Sequence, residues 1–150
     1  MKIGDLAAAS DTPVETIRYY ERAGLLPAPP RTASNYRHYD ESHAARLRFI
    51  RHCRALDLSL DEIRTLLELR DHPQASCAEA NAVIDEHLGH VAQRIRELKL
   101  LQAQLRELRS ACNGDGPGRD CGILGRLEQE TPAPLASGHG TTHLGRTHGR

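Results

Sequence analysis

Aromatic side chains are nearly absent, at 3% of 150 residues with one Phe and no Trp. A core must therefore be assembled from Leu, Ile, Val and Ala, which suits packed helices and disfavours a β-sandwich. Long apolar runs are lacking too. Nothing approaches the roughly 20 apolar residues needed to cross a bilayer, and the opening MKIGDLAAAS is interrupted by Asp5. These absences exclude a membrane partner and point to a soluble, cytoplasmic chain of one compact domain, or a small domain plus an extended element. Also missing is any nucleophile–base pair, phosphate-binding glycine loop or catalytic metal motif, so no enzyme is expected.

Net charge is absent as well, at a formal value of zero, but the sum hides an asymmetry. Between residues 16 and 54 stand Arg18, Arg22, Arg31, Arg37, Arg46, Arg48, Arg51 and Arg54, opposed only by Glu21, Asp40 and Glu41. A local positive surplus is a footprint for a polyanion, although the same charges suit a solvated helix face. Charge alone does not choose between them.

The first seventy residues read as short helices divided by turn signals. Residues 3–9 form one short helix. A second starts at Thr12-Pro13-Val14-Glu15, with Thr12 as N-cap, Pro13 at the first helical position and Glu15 completing a capping box. It runs to about Arg22 and stops at Gly24. Two short helices with a tight join have the shape of a helix-turn-helix. The proline-rich stretch from Leu26 to Arg31 cannot be helical, and residues 31–39 suit a small hairpin or wing. Asp40 caps a helix to about Arg54, and Ser59-Leu60-Asp61-Glu62 opens another to about Arg70.

From residue 78 to 112 there is no proline, and Ile84, Leu88, Val91, Ile95, Leu98, Leu101, Leu105, Leu108 and Cys112 recur at intervals of three or four. That is the spacing of a coiled-coil seam, which a lone helix cannot bury. A second copy of the chain can, giving a homodimer. The run Asn113-Gly114-Asp115-Gly116-Pro117-Gly118 is a loop. Residues 122–130 suit a last short helix, and the Pro-, Gly- and His-containing tail is expected to be disordered. Four parts result: a DNA-binding domain at 1–70, a dimerisation helix at 71–112, a loop and short helix at 113–130, and a flexible tail at 131–150.

All four tyrosines, Tyr19, Tyr20, Tyr36 and Tyr39, lie among Arg18, Arg31 and Arg37. Arginine pairs bidentately with phosphate or guanine, and a tyrosine hydroxyl can donate to phosphate. The second helix would offer Thr16, Arg18 and Tyr19 or Tyr20 to the major groove, while Arg31, Tyr36, Arg37 and Tyr39 grip the flanking backbone. At least one tyrosine is expected to plug the small core instead.

These motifs carry a resemblance. Thr16-Ile17-Arg18-Tyr19-Tyr20-Glu21, Gly24-Leu25-Leu26-Pro27, Asn35-Tyr36-Arg37-His38-Tyr39 and Leu58-Ser59-Leu60-Asp61-Glu62-Ile63 resemble the DNA-binding domain of the MerR family of transcriptional regulators. The resemblance implies a mainly α chain: a winged helix-turn-helix, a long helix in an antiparallel coiled-coil dimer, and a C-terminal effector loop. It further implies a regulator that distorts promoter DNA so that RNA polymerase can engage it.

Cysteine is scarce, and the four residues Cys53, Cys77, Cys112 and Cys121 read as thiols or metal ligands rather than disulfides in a cytosolic chain. Cys53, among Phe49, Ile50 and Leu56, is expected in the core. Cys112 and Cys121 bracket the Gly/Pro loop, whereas Cys77 lies a full helix away, roughly 52 Å at the α-helical rise. In the antiparallel dimer that the resemblance implies, Cys77 of one subunit meets Cys112 and Cys121 of the other. Three thiolates form a soft set suited to Cd(II), Pb(II) or Hg(II). Zn(II) prefers four ligands, and no His or further Cys lies in the loop from Asn113 to Asp120, which disfavours a dedicated zinc sensor. Arg51-His52-Cys53-Arg54, the stretch from Asn81 to His87 and Cys121-Gly122-Ile123-Leu124 are similar to the cadmium-responsive (CadR) and lead-responsive (PbrR) members. The eight-residue spacing of Cys112 and Cys121 resembles the lead type, and the tail from Gly138 to Gly149 the cadmium type.

Cadmium is the favoured inducer. His87 and His90 share a helix face, and with His139, His143 and His148 they form either a second, harder metal site or a solvated face plus a loosely binding tail. The competing reading of the whole is a metal buffer or chaperone whose basic helices serve packing alone.

Overall fold

The computed structural model describes residues 1–30, 33 and 37–129. It is mainly α, with no strand among the described residues and one isolated bridge position at Arg37. The hairpin expected at residues 31–39 lies largely outside the described residues, as does the tail from residue 130 on. The chain divides into two compact units, Met1–Ile84 and Asp85 onward. No described helix is long and apolar enough to cross a membrane.

In the first unit α1 (Ile3–Ser10), α2 (Val14–Arg22), α3 (Glu41–Ala55) and α4 (Leu60–Asp71) close around an aliphatic core. Leu6, Ile17, Leu47, Ile50 and Ile63 expose no surface, so every helix contributes. Each fully buried aliphatic side chain stabilises by roughly 1.5–3 kcal/mol, which makes this cluster the main force holding the four helices together. Tyr39 and Tyr20 complete the cluster, at 1% and 8% exposure.

Local chemistry sets the helix ends. Asp40 accepts from the backbone N–H groups of Ser42 (2.9 Å) and His43 (3.4 Å), satisfying donors that open α3. At α4, Glu62 N–H donates to Ser59 Oγ (3.1 Å) while Ser59 N–H donates to Glu62 Oε1 (2.8 Å), the reciprocal box expected. The expected box at Thr12 is not made. Thr12 is buried and its hydroxyl donates to the Ser10 carbonyl at 3.0 Å, so α2 begins after Pro13 without a side-chain cap. Past the end of α2, Gly24 takes a φ of 76°, open to glycine at no steric cost, and Leu25 N–H returns to Tyr20 O at 2.9 Å.

Helix α5 (Ala78–Arg109) is unbroken over 32 residues. Its rise gives it a span of about 48 Å. Its apolar stripe is wet: Ile84, Leu88, Ile95, Leu98, Leu101 and Leu105 are each between 39% and 59% exposed. Beyond α5 come a 3₁₀ turn, Gly118–Asp120, and the short α6 (Gly122–Glu128).

Candidate functional site

Two places carry chemistry. The first is the outer face of α2. Arg18 and Tyr19 are exposed and Thr16 half-exposed, so this helix offers three of the residues expected to face a polyanion. Tyr20 and Tyr39 are corrected by their burial. Tyr20 packs inward, and burial pushes its hydroxyl above the ordinary phenol range. Tyr39 donates its hydroxyl to Glu21, and burial, then Glu21, pushes its pKa up. In a chain with one Phe and no Trp, the phenol rings are the large side chains available to the core. Arg31 and Tyr36 lie outside the described residues.

Glu21 organises this region. Its side chain is 6% exposed and receives both the Arg37 guanidinium and the Tyr39 hydroxyl. A cleft of about 820 Å³ opens beside it, lined by the cations Lys2, Arg18, Arg22 and Arg37 and by Asp5 and Glu21. With Glu21 already paired to Arg37, the cleft is electropositive and suits a phosphodiester. Lys2 is a cleft residue that the sequence did not point to, and Arg22 stood there only as one charge of the basic window; its signal was its place one turn after Arg18.

Several arginines of the basic window instead hold the fold. Arg46 donates to Leu25 O at 2.6 Å and to both oxygens of Asp71 at 3.0 and 2.9 Å. Arg64, beyond that window on α4, does the same and donates to Ala23 O at 2.8 Å. Together they satisfy carbonyls just past the end of α2 and tie that helix to α3 and α4. Arg54 donates to Leu58 O at 2.8 Å, and Arg48 and Arg51 pair with Glu41 and Asp11 on the surface.

The second place is the loop after α5. Gly114 and Gly116, with φ of 88° and 94°, turn the chain back. Cys112 Sγ accepts from Gly114 N–H at 3.4 Å. Cys121 occupies the N-cap position of α6. The Leu124 amide, then the Cys112 thiol, then the Ile123 amide hold the Cys121 thiol below its ordinary range. The two thiols thus stand near enough for one to influence the other. Among the described residues, no third His, Cys, Asp or Glu ligand atom gathers with these two sulfurs. Cys77 is exposed, immediately before α5, and Cys53 is buried in the core as expected, its thiol pushed up by burial. His87 is buried and His90 half-exposed on α5, their rings 6.2 Å apart and edge-on. His139, His143 and His148 lie outside the described residues.

A helix-turn-helix unit, a long helix with an apolar stripe and a paired-thiol loop occur here in one order, and the chain belongs to the MerR family. The model for MerR helix-turn-helix regulatory proteins matches residues 1–69, and that for the MerR DNA-binding region matches residues 44–108. The chain is similar to an HTH-type transcriptional regulator, a ZntR homolog of Haemophilus influenzae, at 52% identity over 73% of this chain and 81% of that protein. Among solved structures it is similar to the transcription regulator PbrR691 of Ralstonia metallidurans CH34 in complex with lead(II). That likeness has 49% identity and a TM-score of 0.78, covering 85% of this chain and 98% of that one. MerR of Bacillus megaterium MB1 in complex with mercury(II) matches at 29% identity and a TM-score of 0.68, over 86% and 100% of the two chains. These relatives are transcriptional regulators, not enzymes.

Proposed function

We propose that this chain is a cytoplasmic, metal-responsive transcriptional regulator that binds promoter DNA as a homodimer and activates metal-efflux or sequestration genes on binding Cd(II) or Pb(II). The observation that carries the reading is the Cys112–Cys121 pair: two soft donors held together, one with a lowered thiol pKa, and no third ligand gathered with them among the described residues. The wet stripe on α5 supports dimerisation, because an antiparallel partner buries it and brings the partner subunit's Cys77 to the pair. Residues 1–70 serve as the DNA-binding domain, 71–112 as the dimerisation helix, 113–130 as the metal-binding loop and 131–150 as a tail. Of the first part, Thr16, Arg18, Tyr19 and Arg37, with Arg31 and Tyr36, are the DNA contacts we favour, joined by Arg22 and Lys2 at the cleft.

The mechanism follows from which parts are stiff. Thiolate ligation across the interface favours one dimer conformation over the other, and it shifts the equilibrium only by the difference in affinity for the two. Arg46 and Arg64 make α2 move with α3 and α4, so the helix that faces DNA is carried as one body with its own unit. Bending and untwisting the DNA then aligns promoter elements for RNA polymerase.

A Zn(II)-responsive regulator is the second reading, favoured by the 52% identity to the ZntR homolog. The loop between Cys112 and Cys121 holds no His or further Cys to complete a tetrahedral zinc set, which argues against it. The test is promoter activation across Cd²⁺, Pb²⁺, Hg²⁺ and Zn²⁺ with wild type and with Cys77→Ser, Cys112→Ser and Cys121→Ser, alongside gel shifts at several salt concentrations. Cd²⁺ or Pb²⁺ as the strongest inducer, silence in each variant and operator binding within about twofold of wild type would bear the reading out; the steep salt slope of a phosphate-gripping protein is expected throughout. Normal induction in all three variants removes the site. DNA affinity without a salt slope leaves a metal buffer or chaperone.

A further inference from the structure

We infer that Gly122 is the positioning residue of the thiol pair, its missing side chain setting the gap between the Cys112 and Cys121 sulfurs. Ala111 stands immediately before Cys112 and Gly122 immediately after Cys121, so their contact is the neck of the loop. A Cβ built on Gly122 would lie 2.0 Å from the Ala111 carbonyl oxygen, 3.0 Å from its carbonyl carbon and 3.4 Å from its Cβ. The obstacle is backbone, which cannot swing aside as the tip of a long side chain can.

Neither wall of the neck yields. Ala111 is held by its N–H to Leu108 O at 3.1 Å, and Ser110 by its N–H to Arg106 O at 3.0 Å, continuing the last turn of α5. On the other side, Cys121 O accepts from Gly125 N–H at 3.0 Å, which fixes the first turn of α6. Any side chain at 122 therefore forces the walls apart by about 1.3 Å to reach an ordinary carbon–oxygen contact of about 3.3 Å. Both sulfurs sit one residue from that neck and part with it. No other described glycine has this constraint. Gly125 meets nothing within 4 Å, and Gly118 meets only Leu124 Cδ1 at an ordinary 3.7 Å.

A chemical consequence follows that rests on the metal-sensing reading. Ions that accept three thiolates in a pyramidal or trigonal set need two neighbouring sulfurs close together, whereas Hg(II) also accepts two sulfurs on opposite sides. A tight neck favours the first arrangement. Opening it weakens Cd(II) and Pb(II) more than Hg(II), because sulfurs bound directly to the ion tolerate only about 0.5 Å of misplacement.

The experiment compares full-length wild type, Gly122→Ala and Gly125→Ala. In reduced, metal-free protein, dibromobimane bridges neighbouring thiols, and peptide mapping isolates the Cys112–Cys121 product. In parallel, Cd(II) and Hg(II) are titrated against thiolate–metal charge-transfer absorbance, and operator affinity reports the integrity of the Met1–Ile84 unit. We expect Gly125→Ala to match wild type. Gly122→Ala should bridge about fivefold more slowly and lose roughly tenfold in Cd(II) affinity, about 1.4 kcal/mol, with a smaller loss for Hg(II) and unchanged operator affinity. Wild-type bridging in Gly122→Ala overturns the inference and leaves the metal-sensing reading standing. Slowed bridging in Gly122→Ala, in a protein whose wild type binds none of the metals, upholds the inference and removes that reading.

Discussion

Replacing Glu21 with Gln keeps the side chain's shape and removes its charge at the point where α2 meets the segment carrying Arg37 and Tyr39. The carboxylate is 6% exposed and serves two donors, Arg37 and the Tyr39 hydroxyl. An amide offers one acceptor oxygen and turns its N–H₂ towards the other donor, so one charge-assisted bond is lost. Such a bond is worth roughly 1.5–3 kcal/mol, but Arg37 is 38% exposed and regains water, which places the loss near the lower end, about 1.5 kcal/mol. For a helical unit of this size that lowers Tm by about 6–12 °C.

The effect on DNA distinguishes positioning from charge. Removing a negative charge beside a polyanion should, by Coulomb attraction alone, tighten binding. If Glu21 acts by aiming Arg37, binding weakens instead by roughly two- to tenfold, the value of one ordered hydrogen bond. Thermal unfolding by circular dichroism and operator titration by fluorescence anisotropy read the two effects. A variant that melts within about 1 °C of wild type and binds DNA as tightly or more tightly would refute the reasoning.

Arg46→Met removes the bonds to Leu25 O and Asp71 from a side chain that is 15% exposed, and should cost about 1.5–3 kcal/mol in thermal unfolding. Its operator salt slope should match wild type, whereas a phosphate-contacting arginine would reduce the slope by about one. The Ser42 hydroxyl and then the His43 ring hold Asp40 at about 2, below the ordinary carboxyl range. The cap of α3 is therefore fully present above that ordinary range and is lost as pH falls through about 2. An acid titration of helicity should show Asp40→Ala flatter than wild type over that interval. In metal-free protein, iodoacetamide should label Cys121 well before Cys53, because one thiol is accessible and lowered while the other is buried and raised; mass spectrometry of timed samples reads the order, and equal rates would contradict it.

What could be read from the residues was what local chemistry decides. Asp40 and Ser59 cap helices through partners two and three residues away, and the α5 stripe is periodicity alone. The errors arose where distance along the chain hides the partner. Arg46 and Leu25 are 21 residues apart, so an arginine that bonds a carbonyl counted in the basic window as surplus charge, and Arg64, 41 residues from Ala23, gave no local sign of its role. Thr12 has the right neighbours for a cap, yet its hydroxyl found the Ser10 carbonyl first. That at least one tyrosine would plug the core was legible from the scarcity of other large rings; which ones, Tyr20 and Tyr39, was not. The Cys112–Cys121 pair was legible from the glycine loop between them. The glycine just outside that pair was not, since only the folded loop brings a carbonyl 2.0 Å from where its Cβ would be.

The unbroken length of α5 has a genetic consequence. With Cys77 before this helix and the thiol pair after it, each site proposed above draws on two copies of the gene product. A cell making one copy defective at Cys77 and another defective at Cys112 therefore assembles mixed pairs in which one site of the two is whole. Two alleles that are silent alone should rescue each other when expressed together.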